Sequence, residues 1–346
     1  SLLAGNGTGS VQLLTTLPTT VQSNITQVGT ITTGVWNGTD IPVSAGGTGL
    51  STFGGANTIL YTTAADTLAS STNFTYNGTD LDIASGNILM DNTASATVGV
   101  IEKGNQRFMH DYGTNNTFLG YQSANFTLTG SNNSGLGFQV LQALTSGFGN
   151  TGCGNTALNK CTTGFHNTAF GSEAGDELIG GARNTIMGFR AMGTTISDIN
   201  DCVAIGYTSS LLLGSLSARN ISVGNESLGG ATTITDSIAI GHLSGTGGNN
   251  CISIGSNSMA ANTGNDNIGI GFNALNINTS GNLNTSMGYQ SLQSLTTGSQ
   301  CTAIGANALN ANTGSFLVAI GSNALLLNTS GTNNVAIGTN ALDSNT

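Results

Sequence analysis

The sequence predicts an all-β protein, a parallel β-roll or β-solenoid of about 14 rungs with repeats of ~17 residues, preceded by an extended β fibre shaft. Two observations carry this. A glycine closes a five-residue phrase fourteen times, at 120, 137, 154, 171, 188, 206, 224, 241, 255, 271, 288, 305, 321 and 338. Within the phrase, residues alternate with the period of two that a half-buried strand requires.

With the glycine as position zero, the residue before it is apolar in every copy. Seven copies carry isoleucine there (Ile205, Ile240, Ile254, Ile270, Ile304, Ile320 and Ile337), and the others Leu, Met, Phe, Val or Cys. Two before it sits a small residue, as in Ala169, Ala204, Ala239, Ala303, Ala319 and Ala336, and three before it Thr, Ser, Val or Ile. By size, the Ile ladder is the inner face, and the alanines form a flat outer face suited to close packing. The glycine (Gly171, Gly206, Gly255, Gly305, Gly338) permits a bend or a close backbone approach. After it, Ala or Ser three residues on and Leu or Met four residues on predict a second short strand. A Thr/Ser-Gly turn such as Thr163-Gly164 or Thr313-Gly314 follows. Stacked at about 4.8 Å, fourteen such coils would span roughly 60–65 Å.

The slot four before the glycine carries Asn in nine copies, among them Asn116, Asn167, Asn184, Asn284 and Asn334, and Cys in three, Cys202, Cys251 and Cys301. Stacked amides satisfy one another along the axis of parallel β structures, so this slot reads as a structural ladder. A slot shared by Asn and Cys makes the cysteines small buried thiols rather than a disulfide or metal framework. Three organisational segments follow: residues 1–55 as shaft, 56–112 as a β-rich connector holding the charged group Glu102, Lys103, Arg107, His110 and Asp111, and 113–346 as the repeat array.

Composition limits function. The 346 residues include 52 Gly, 2 Pro and 6% charged residues, with a net charge of −10. Scattered basic residues leave no footprint for nucleic acid, and apolar runs such as Leu211-Leu212-Leu213 are too short for membrane insertion. The chain opens at Ser1 without a charged-then-apolar leader and stops partway through a repeat, so both ends read as processing limits. Asn-x-Ser/Thr sequons are frequent, as composition alone produces.

The recurring Asn334-Val335-Ala336-Ile337-Gly338 with Asn340-Ala341-Leu342 resembles the head repeat of YadA-like trimeric autotransporter adhesins, whose repeats are shorter. That resemblance implies a left-handed β-roll assembled as a homotrimer. A thin coil needing a cover for one face points the same way. The stretch Val28-Gly29-Thr30-Ile31 through Thr39-Asp40-Ile41, leading into Gly46-Gly47-Thr48-Gly49, is similar to shaft segments of phage and large-virus tail fibres. The resemblance implies a structural, extracellular fibre on a virion or cell surface that attaches to a cell-surface glycan or protein receptor.

The enzyme alternative is a glycan-depolymerising tailspike. Its candidate residues are Glu173, Asp176, Glu177, Asp198 and Asp201, joined by Arg183 and Arg190, since glycoside cleavage needs two carboxylates about 5–9.5 Å apart. A solvated, salt-bridged patch is the favoured reading, and no catalytic residue is assigned. A purely structural filament subunit is the third alternative. His110, His166 and His242 share no ligand spacing, Asp80 and Asp82 alone make weak Ca²⁺ ligands, and no cofactor or metal site is assigned. The receptor-binding residues are expected among the variable turns, such as Phe189-Arg190 and Tyr207-Thr208.

Overall fold

The computed structural model describes residues 3–5, 11–13, 58–64, 67–76, 79–83, 88–95, 98–194, 198–212, 214, 217–230, 233–245 and 247–345. They fall into two compact units divided between Leu89 and Met90. In the first, β1 (Leu3–Gly5) pairs antiparallel with β2 (Val11–Leu13), and β3 (Thr58–Ala64), β4 (Thr67–Tyr76) and β5 (Leu81–Ile83) form an antiparallel sheet. The expected shaft, 1–55, otherwise lies outside the described residues.

The second unit is a parallel β-solenoid. Its 16-stranded sheet begins with the antiparallel strands β6 (Ile101–Lys103) and β7 (Gln106–His110) and continues through fourteen parallel strands, from β8 (Thr117–Leu119) to β21 (Val335–Ile337). Each of the fourteen is three residues long and stops at the repeat glycine. Register is slot on slot: Thr168 lies against Thr185, Ala169 against Ile186, Phe170 against Met187. Thus the ladders exist as the repeat predicts. The segment 90–112 falls with the array, not with the unit before it.

Two expectations about the rung are corrected. The first is its polarity. The small middle residues face inward: Ala169, Ala204, Ala239, Ala303 and Ala319 are fully buried. The isoleucine ladder expected inside faces outward. Ile240, Ile254, Ile304 and Ile320 are exposed, as is Ile337 at 69%, and Ile205 and Ile270 are half-buried. Alternation alone cannot tell which face is inner, because a slip of one residue exchanges them. Interior width decides it. The inner space is filled from the far side by Leu141, Leu158, Leu275, Leu309 and Leu325, all fully buried. Little room remains opposite: a Cβ placed at Gly152 would come within 2.6 Å of Val140, and one at Gly269 within 2.7 Å of Met259. An isoleucine cannot fit there, so Ile304 and Ile320 stand on the outer side of their strands while Ala303 and Ala319 take the inner one. Large inner residues appear where the far side recedes. Ile186 reaches over Gly175, whose missing Cβ would stand 2.8 Å from the Ile186 side chain.

The second correction is the expected strand after the glycine. That segment is a run of turns in which alternate residues are left-handed, such as Thr156 (φ 52°) and Leu158 (φ 50°). A left-handed Leu costs about 1–2 kcal/mol. Bonds to both neighbouring coils offset this: Thr156 N–H donates to Phe138 O in the coil before (2.8 Å), and Leu158 N–H to Ala174 O in the coil after (3.0 Å). At the repeat glycine itself φ is 124–146° throughout. A Cβ on Gly171 would stand 2.5 Å from Gly188 O, which excludes every other residue.

Candidate functional site

The Asn ladder is buried and self-satisfying. Asn133 Nδ2 donates to Asn116 Oδ1 (3.2 Å) and to Gly147 O (3.0 Å), while Asn133 N–H donates to the same Asn116 Oδ1 (2.8 Å). The pattern repeats through Asn150, Asn167 and Asn184, and Asn184 Oδ1 then accepts from Cys202 N–H (3.0 Å). Asn284 likewise accepts from Cys301 N–H (3.0 Å). Each amide thus closes its own rung's turn and grips the next, and the ladder offers nothing to a surface ligand. Cys202, Cys251 and Cys301 are free, buried thiols, and burial raises their pKa. A second amide ladder that sequence reading missed runs seven residues after the glycine in the C-terminal coils. There Asn278 Nδ2 donates to Asn262 Oδ1 (2.6 Å) and Asn328 Nδ2 to Asn312 Oδ1 (2.8 Å). Its signal was present as Asn at a constant offset.

Three of the carboxylates around 173–201 are ion-paired to a neighbouring rung. Glu173 lies 3.2 Å from Arg190 Nε, Glu177 2.6 Å from Lys160 Nζ, and Asp201 2.5 Å from Arg183 Nε, each partner one rung away. Arg219 and Asp236 extend the Arg183–Asp201 slot with a further pair at 2.6 Å. Asp198 is exposed, its carboxylate near Gly180. Asp176 stands apart chemically. Partial burial, then the Glu177 and Glu173 charges, push its carboxyl up to about 6, and its Oδ1 is buried with no hydrogen-bond partner among the described residues.

Among the histidines, His110 is buried at the N-terminal end of the solenoid. Its Nε2 lies 2.9 Å from Ser123 O, and its ring lies 5.0 Å from both Phe118 and Phe126. Beside it Arg107 donates to the carbonyls of Gln122 (3.3 Å), Ser123 (3.2 Å) and Ala124. These two side chains cap the first coil's free carbonyls. Sequence reading placed both in a connector and missed that role. His166 packs edge-on against Phe148 and Phe165. Asp80 precedes β5, and Asp82 within it lies opposite Thr75. Among the described residues, no three His, Cys, Asp or Glu side chains gather as around a metal ion.

Two surfaces among the described residues bear on function. One is the outward sheet face, where strand residues Val203, Ile221, Ile238, Ile252 and Ile268 alternate with Ile205, Val223, Ile240, Ile254 and Ile270, giving five consecutive rungs of exposed or half-exposed aliphatic side chains. Ile304 and Ile320 continue the same face toward the C-terminal coils. A shallow depression of about 350 Å³ marks its N-terminal end over Leu119, Leu136 and Cys153. The other surface is a groove of about 370 Å³ over the turn segments between Arg190 and Leu243.

Fold and ladders define the class: a β-solenoid repeat protein built of stacked parallel coils. Compared with protein-family models, curated proteins and solved structures, the chain matches none.

Proposed function

We propose that the chain is a structural and adhesive fibre protein: a homotrimer that projects from a virion or cell surface and attaches to a surface receptor, as its resemblance to YadA-like heads and tail-fibre shafts implies. The observation that carries this reading is the uncovered aliphatic face. Soluble monomers rarely leave a contiguous apolar strip of this kind open. Three residues wide and fourteen rungs long, the whole sheet face offers roughly 600 Å² per copy, of the order of the ~800 Å² per partner in a standard interface, with its aliphatic centre five rungs long and Thr or Ser beside the apolar slot over most of the rest. The need for partners survives the inversion of the rung and moves to the Ile side. A rod stiffened by buried amide ladders suits projection, and exposed turn residues such as Asn132, Arg183 and Asp201 recur at one slot along it.

The tailspike alternative has less support, since Glu173, Glu177 and Asp201 are each held by a cation of a neighbouring rung. Light scattering on the full chain tests the assembly: a mass of three chains is the expected result, and a monomer mass would remove the argument from the uncovered face. Adhesion of the labelled chain to candidate host cells tests attachment.

A further inference from the structure

The groove between Arg190 and Leu243 points, we infer, to a binding site for one pyranose unit of a neutral glycan, a ligand class that deepens and rests on the attachment reading above. Its origin lies in the repeat. Five residues after the glycine most rungs carry Asn, Gln, Asp or another side chain, but here the slot holds Gly193 and Gly229 on either side of Leu211. Of these two glycines, Gly229 lies in the lining of a groove of about 370 Å³, formed with Arg190, Tyr207, Thr208, Leu211, Glu226 and Leu243, within the lower range of small-ligand sites.

The chemistry of the lining is mixed in the way a sugar is mixed. Tyr207 is 53% exposed and stacks on Phe189 on one side, ring centroids 5.6 Å apart and planes 19° apart. In the next rung the same slot holds Asn225, so no ring covers the second face. Leu211 and Leu243 add aliphatic surface. An aromatic face beside aliphatic walls accepts the C–H side of a pyranose ring. The polar groups are unengaged: the Tyr207 hydroxyl, the Thr208 hydroxyl and the Glu226 carboxylate have no hydrogen-bond or ion-pair partner among the described residues. At some rungs this slot, two after the glycine, is linked to the next. Gln139 donates to Gln122 (2.8 Å), and Asn323 to Asn340 (3.1 Å). Thr208 and Glu226 make no such bond among the described residues, and both line the groove.

Charge selects the class of sugar. Arg190 is neutralised by Glu173 at 3.2 Å, although its Nε is buried and not aligned to hydrogen bond. Among the described residues no cation pairs with Glu226. The groove is therefore net negative in a chain of charge −10, which disfavours uronic and sialic acids and leaves a carboxylate to accept from a vicinal diol. Glu226 and Arg190 stand two rungs apart, roughly 10 Å, a span that takes one ring with its hydroxyls.

The test applies the full chain to an array of defined neutral hexose and N-acetylhexosamine oligosaccharides, with uronic- and sialic-acid oligosaccharides as contrast. Hits are then titrated by calorimetry. Wild type is expected to bind a neutral saccharide. Tyr207→Ala and Glu226→Gln should each weaken it at least tenfold, and Tyr207→Phe less than Tyr207→Ala, with melting unchanged because both side chains are outside the core. Binding confined to acidic saccharides, binding indifferent to these substitutions, or no saccharide bound would each overturn the groove. Adhesion of the wild-type chain to cells, run in parallel, separates the two readings. Cells held without any saccharide bound discard the groove and keep attachment, whereas saccharide bound without cells held keeps the groove and discards attachment.

Discussion

Two residue types, glycine and asparagine, hold the coil closed, the glycine through backbone that other residues cannot adopt and the asparagine through its buried amide. Gly305 has φ 135°, and a Cβ there would meet Gly321 O at 2.5 Å. Gly305→Ala should therefore lower stability by about 3 kcal/mol, from left-handed strain and forced separation of two coils, read as a fall in the urea midpoint. Asn167 bridges two rungs through its buried amide, donating to Asn150 Oδ1 (3.1 Å) and accepting from Asn184 N–H (3.1 Å). Asn167→Ala leaves those partners unsatisfied and should cost about 2–3 kcal/mol. Asn167→Cys should cost less, because thiols already serve in this slot at 202, 251 and 301, where the sulfur lies within 3.3–3.6 Å of a carbonyl two residues back. Both glycine and asparagine were legible from recurrence. The left-handed Leu158 was not, since the Ala-Leu pairs carry no local signal against a strand and only the bonds to both neighbouring coils hold that backbone.

Among the elements, the N-terminal cap is the one with pH-dependent chemistry. Burial lowers the His110 pKa, opposed by the Ser123 carbonyl, with Arg107 lowering it and Asp111 raising it through charge. A histidine whose folded value lies below its ordinary 6.5 favours the neutral ring in the folded state. Its contribution is complete above that value and is lost as pH falls below it. Exchange of the β7 and β8 amides should therefore accelerate, beyond the intrinsic chemical rate, as pH drops from about 7 to about 5, with the mid-array amides unaffected. Asp176 runs the other way. Its carboxyl, raised to about 6, stabilises the fold most when protonated, at low pH, and that contribution fades as pH rises through the same value. Asp176→Asn should raise stability at neutral pH by about 1 kcal/mol after discounting for partial exposure, and the gain should vanish near pH ~4. By contrast the Arg183–Asp201 and Arg219–Asp236 pairs are exposed, and Arg219→Gln should change stability by less than about 0.5 kcal/mol. The pairs follow from reading charges at the repeat spacing. The cap does not, because it depends on a hairpin folding back antiparallel against the first coil.

For the molecule as a whole, the outward aliphatic face is the feature with the largest consequence. Ile254→Asp places a charge at the middle of that face without touching the core. It should reduce the proposed trimer to monomers in light scattering while the circular dichroism spectrum is retained. Ala239→Leu, on the buried side of the neighbouring rung, should do the reverse and destabilise the coil by about 1–3 kcal/mol through overpacking. Had the sequence-based polarity held, the two substitutions would exchange their effects, so the pair is a direct test of which side of the strand is inner. The groove at Arg190–Leu243 also belongs to this scale, since no rung contains it and four must stack to build it.

Repetition alone was enough for the architecture: the glycine interval determined the number of coils, the slot-on-slot register, and the amide ladder with the thiols set into it, because residues at a constant spacing in a stacked coil must lie above one another. Only the tertiary structure decided the direction of the small and large faces, the left-handed turn segment, the cap and the groove. Ile304 and Ile320 illustrate the division: their alignment in one ladder was legible, their place on the outer side was not. Each of these features depends on a distance across or between coils, either the width left opposite a buried leucine or the space left above a glycine. Such distances exist only once the rungs are stacked.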